Sequence, residues 1–112
     1  MAYWDSAARN NNSIASVLHQ ALGEKHRYIG TGAWEYTTQE GVWVVDPTQT
    51  MLRKAITAES SKVIERLLYW SQVEGTDAQL RCEILSDISM RLKNPKHANA
   101  IIREAREFFI VE

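Results

Sequence analysis

The stretch from His26 to Val45 constrains the fold most. Three runs, His26-Arg27-Tyr28-Ile29, Ala33-Trp34-Glu35-Tyr36-Thr37-Thr38 and Val42-Trp43-Val44-Val45, are separated only by Gly30-Thr31-Gly32 and Gln39-Glu40-Gly41. Short segments rich in aromatic and β-branched residues suit a pleated surface, and glycine supplies the backbone freedom that a tight turn needs. We read a small antiparallel sheet with a hairpin at 39–41, two strands forming the hairpin and a third preceding it.

The flanks carry the other period. Asn12 or Ser13 can cap a helix over 13–22 that places Ile14, Val17, Leu18, Ala21 and Leu22 at spacings of three and four, and Gly23 is placed to end it in the left-handed conformation. After the hairpin, Asp46-Pro47 announces a second helix, because Asp accepts from free amides of a first turn and Pro at the first helical position gives up an amide that has no partner there. Leu52, Ile56, Val63, Leu67 and Trp70 form its apolar stripe to about Gln72, with Gly75 closing it. Thr76-Asp77 opens a third helix with Leu80, Ile84, Leu85, Ile88 and Leu92 on one face. Asn94-Pro95 ends it and starts the last, which buries Ala98, Ile101, Ile102, Ala105 and Phe109. The fold class is therefore mainly α (α+β): about four helices with a small antiparallel β-hairpin inserted after the first. Residues 1–12, with Tyr3, Trp4 and the turn-forming Arg9-Asn10-Asn11-Asn12, read as a lead-in or linker remnant before a single helical domain at 13–112.

At 112 residues and 45% hydrophobic composition there is enough apolar surface for one core. The formal net charge of −1 leaves no global field toward nucleic acid or an acidic membrane, so a polyanion site has to be a local patch. Cys82 stands alone, and there is neither a long apolar run nor a secretory leader, so we expect an intracellular, reducing setting: host cytoplasm or nucleus, or bacterial cytoplasm. The apolar tail Phe108-Phe109-Ile110-Val111-Glu112 is of a kind that packs or runs on into another element, as in a fragment of a longer chain.

No constellation for catalysis stands out. His19, His26 and His97 lie on separate elements with no paired-cysteine or His-Glu-x-x-His spacing, so no metal site is expected. Cys82, between Arg81 and Glu83, has no histidine partner, and Gly30-Thr31-Gly32 lacks the Lys-Ser/Thr of a nucleotide-binding loop. Trp34 and Trp43 can be a stacking platform for single-stranded bases or, the blander reading that we favour, cross-strand packing. The densest positive cluster is Arg91, Lys93, Lys96, Arg103 and Arg106 with His97, diluted by Glu104 and Glu107, and it is either a solvated face or a phosphate contact.

Two stretches carry a family resemblance. Ser13-Ile14-Ala15, Val17-Leu18, Tyr28-Ile29, Trp34, Tyr36, Gly41-Val42-Trp43, Asp46 and Leu52-Arg53-Lys54-Ala55-Ile56, and later Leu92-Lys93-Asn94 with Asn99 to Phe109, resemble the domain preceding the helicase in poxvirus-type and phage-type primase-helicases. The resemblance spans about 13–109 and rests on order and spacing, not on a catalytic signature. It implies a non-catalytic accessory domain between a primase and a hexameric superfamily 3 helicase, helping to form the ring's collar and to guide single-stranded or forked DNA. ATP and magnesium would belong to the parent, with no cofactor in this chain, and the adjoining primase and helicase domains would be its partners, with assembly arising in the ring. The site residues would be Arg91, Lys93, Lys96, Arg103 and Arg106, with Trp34 and Trp43 second. The alternative is a stand-alone virus- or phage-encoded protein-interaction domain, docking through apolar residues near Tyr3, Trp4 and Phe108 to Val111.

Overall fold

The computed structural model describes residues 2–111; Met1 and the tail's last residue, Glu112, lie outside them. Among the described residues there are four helices, α1 (Asn11–Leu22), α2 (Thr50–Ser71), α3 (Thr76–Lys93) and α4 (Pro95–Phe109). After α1 come strands β1 (His26–Ile29), β2 (Ala33–Thr37) and β3 (Trp43–Val45), and the short β4 (Ile110–Val111) follows α4. The protein is mainly helical α+β, as its periodicities indicate. β1, β2 and β3 form an antiparallel meander, and β4 adds in parallel to the far side of β1, giving the order β3-β2-β1-β4. The 39–41 hairpin is present, with Gly41 at φ +81°, where a side chain would strain the turn.

The residues read as a lead-in are part of the packed body from Tyr3 onward. Tyr3–Ser6 form a 3-10 turn that drives Trp4 into the core, where it is 2% exposed. Trp4 Nε1 donates to Glu59 Oε1 on α2 at 3.2 Å, and the Asp5 carboxylate accepts from Arg66 Nε and Nη2 at 2.9 and 2.7 Å and from Trp70 Nε1 at 3.1 Å. Arg81 of α3 donates to the Ala7 carbonyl at 2.7 Å. The segment thus clasps α2 and α3, a set of contacts 55 to 74 residues away in sequence that no local pattern reveals.

Several boundaries shift for identifiable reasons. Asn10, extended at φ −110° and ψ 155°, caps α1 in place of Asn12 or Ser13, its side chain accepting from Ser13 N. Gly23 is right-handed at φ −65°; its want of a side chain matters because a Cβ there would lie 2.6 Å from the His19 carbonyl oxygen. Asp46 does cap α2, accepting from Met51 N and Leu52 N at 3.2 and 3.1 Å, but Pro47 is not helical. The Asp46 amide still bonds the Trp34 carbonyl of β2 at 2.8 Å, so the chain turns through Pro47–Gln49 before the helix starts. Gly75, at φ +118°, is the N-cap of α3, four residues beyond the last residue of α2.

The core joins α1, α4 and the inner sheet face to the facing stripes of α2 and α3. Leu52, Ile56 and Val63 of α2 are buried, while Leu67 and Trp70 are half-buried because the far part of the α2–α3 pair extends beyond the body. Leu80 is 50% exposed, since at about 100° per residue it lies roughly 200° around α3 from the buried Ala78. Ala98 is half-buried, and Ile101, Ile102, Ala105 and Phe109 are buried.

Candidate nucleic-acid interface

Strand register decides the fate of the two hairpin tryptophans. Trp34 pairs with Tyr28, whereas Trp43 pairs with Thr37, so by the alternation of a strand they point to opposite faces of the sheet. Trp34 faces inward, is 2% exposed and packs edge-on against Tyr28 and Phe109 at centroid distances of 5.3 and 5.2 Å. It therefore offers no ring face to a base. Trp43 is half-buried on the outer face beneath the Arg27 guanidinium, 4.0 Å from its ring centre, and Arg27 is itself held by Glu35 at 2.7 Å. A two-tryptophan platform does not exist in this fold.

The apolar ends proposed for protein docking are also mostly consumed: Trp4 and Phe109 are buried, Tyr3 and Phe108 half-buried, and only Ile110 and Val111 of that set stand exposed.

The basic cluster divides. Arg91 is occupied within the fold, its Nε 3.5 Å from Asp87 and its Nη1 donating to Asn11 at 3.2 Å. Arg106 is exposed but turns toward the sheet, over the Tyr28 ring at 5.3 Å. Arg103 borders Glu104 and Glu107 in a shallow depression with Asn11. Lys93 and Lys96, on either side of the Asn94-Pro95 corner, are exposed and make no ion pair among the described residues.

What joins them was not visible along the chain. The α2 and α3 helices run antiparallel, so the first turns of α2 lie beside the α3–α4 corner. Arg53 Nη2 donates to Asn99 Oδ1 of α4 at 2.6 Å, and Lys54 projects next to it from the same turn of α2. Residues 47–58 contain no Asp or Glu, and neither do residues 88–103. Where the two segments meet, Arg53 and Lys93 line one recess with Lys54 beside Arg53, and Lys96 follows across the Asn94-Pro95 corner, while Arg91 and Arg103 face Asn11. The only sequence signal was the absence of carboxylates in each, which becomes meaningful once the segments meet.

The opposite end of the helix pair is mixed in charge. From Glu74 to Glu83 the chain carries three carboxylates and one cation, Arg81, and Glu83 pairs with Arg9 at 3.6 Å. The molecule measures 46 Å along its longest axis, several times the screening length of about 8 Å at physiological ionic strength. The near-zero net charge is a sum over the whole chain and does not describe the field that a ligand meets at the basic end.

Among the described residues no three His, Cys, Asp or Glu side chains converge as a metal site, and no helix is long and apolar enough to cross a membrane. No family model, curated protein or solved structure matches the chain.

Proposed function

We propose that this protein is a non-catalytic accessory module of a viral or phage replicative primase-helicase, and that its basic end contacts the phosphates of DNA. The observation that carries the DNA contact is the meeting of two acid-free segments at the α2 start and the α3–α4 corner. Lys93, Lys96, Arg53 and Lys54 supply the charge, with Arg103 at its edge. Contacts of this type follow the backbone without reading bases, so affinity is salt-dependent and largely indifferent to sequence. The accessory role and the place beside a primase and a helicase ring rest on the resemblance, and ATP and magnesium stay with those neighbours.

Fluorescence anisotropy of labelled single-stranded, forked and duplex DNA at low and moderate salt tests the reading. Reversing Lys93→Glu and Lys96→Glu together is expected to weaken binding to all sequences alike and to reduce the single-strand salt slope by about 0.7 per lysine. An unchanged affinity and slope would remove the corner from the interface.

A second reading, a protein-interaction domain, is favoured by one observation: Leu68, Tyr69 and Leu80 are each half or more exposed on the end of the α2–α3 pair away from the basic corner. Loss of partner binding on Leu68→Ser and Leu80→Ser, with DNA binding intact, would favour it.

A further inference from the structure

Between the start of α2 and the α3–α4 corner, inside the basic patch, is an open slot of about 160 Å³. The buried Ile56, Leu92 and Ile102 line its floor, Pro95 and Ala98 line it from α4 and Thr57 from α2, while Arg53 and Lys93 stand at its rim. A recess with an aliphatic floor between cations is not what phosphate contact alone requires, since phosphates need donors and not aliphatic side chains. A cavity of about 150 Å³ lined by aliphatic side chains accepts benzene, so the slot has room for one flat ring.

We infer that the slot seats one unpaired base of a single strand while Arg53 and Lys93 hold the flanking phosphates. The inference rests on the phosphate reading above and adds to it the nature of the strand: a paired base is stacked between neighbours and cannot enter, whereas a base of a single strand swings free of the backbone. Complementary charge selects the polyanion, and the apolar floor selects its rings.

The test compares binding of an oligothymidylate with that of an abasic oligomer of equal length, which keeps every phosphate and sugar and removes every base. The oligothymidylate is expected to bind about tenfold more tightly, the factor given by burying roughly 55 Å² of apolar surface. Ala98→Leu, which fills the slot from α4, is expected to bring the oligothymidylate down to the abasic level while leaving abasic affinity and salt slope unchanged. Thr57→Leu fills it from α2 and serves if the first variant lowers the unfolding midpoint.

Equal affinity for the two oligomers overturns the base slot and leaves phosphate contact standing. No binding of either oligomer at low salt overturns both. Binding of a glutamate-rich, leucine-bearing peptide in place of the oligomers would make the slot a protein-docking site and likewise overturn both.

Discussion

Replacing Trp4 tests whether the first residues belong to the core. The Trp4 ring is 2% exposed, and its indole N–H is one of two partners, among the described residues, of a carboxylate, Glu59, that is itself only 3% exposed. Trp4→Ala removes a large buried side chain, which costs about 3–5 kcal/mol where the surroundings cannot collapse. It also leaves Glu59 with Lys62 alone, at 2.9 Å. Small domains hold about 5–15 kcal/mol in total, so the variant should lose a large share of its stability. Trp4→Phe separates the two contributions: most of the ring remains, the donor goes, and a buried acceptor short of a partner costs about 1–3 kcal/mol. Urea unfolding followed by far-ultraviolet circular dichroism reads both, with the slope of free energy against urea checked for constancy. A loss below about 0.5 kcal/mol for Trp4→Ala, the range of surface substitutions, would refute the packing and restore residues 1–12 as a lead-in.

Three other outcomes follow from the same contacts. Asp46→Ala should cost about 1–2 kcal/mol in urea unfolding, because both carboxylate oxygens cap α2, and Asp46→Asn should recover part of it. The paired hydrogen bonds from Arg66 hold the Asp5 carboxyl below its ordinary value of 3.8, with Trp70 adding to the effect. Its stabilisation is present above that value and lost as pH falls through the lower folded one, so Asp5→Asn should flatten the decline in stability between about pH 5 and 3. Burial pushes the His26 imidazole below its ordinary 6.5, Asp46 opposing, and its Nδ1 has no hydrogen-bond partner among the described residues. The unfolded chain then takes the proton first, so stability should fall as pH drops below about 6.5, and His26→Leu should make urea midpoints less steep between about pH 7 and 5.

How far residues alone led differs by the range of the forces involved. Helix and strand periods are local, and they placed the four helices and the 39–41 hairpin within a few residues. Asp46 was readable as a cap because capping is a short-range exchange of hydrogen bonds, although its simultaneous bond to Trp34 delayed the helix start. The apolar phase of α3 misled at Leu80, where similar residues sit on both sides of one helix. Neither the Trp4–Glu59 and Asp5–Arg66 contacts nor the parallel addition of β4 to β1 carries a local mark. The candidate site is a long-range feature of the same kind. Lys93 and Lys96 are neighbours along the chain, while Arg53 and Lys54 stand on a different helix and reach the corner only through the antiparallel packing of α2 and α3.

That packing makes the sheet a determinant of the basic end. The Asp46 amide is anchored to β2 through the Trp34 carbonyl, and its carboxylate fixes the amides of Met51 and Leu52. Arg53 and Lys54 are the next two residues, so the bond from Asp46, just past the end of β3, to Trp34 near the start of β2 helps set where their side chains leave α2. Further along the same helix, Glu59 at its middle and Arg66 toward its end bind Trp4 and Asp5, which opposes rolling of α2 about its axis. Rolling by a single residue, about 100°, would carry Arg53 away from Asn99 and separate the two acid-free segments. The long-range hydrogen bonds of Asp46, Trp4 and Asp5, none of them basic and none in the patch, are therefore what keep its charges together.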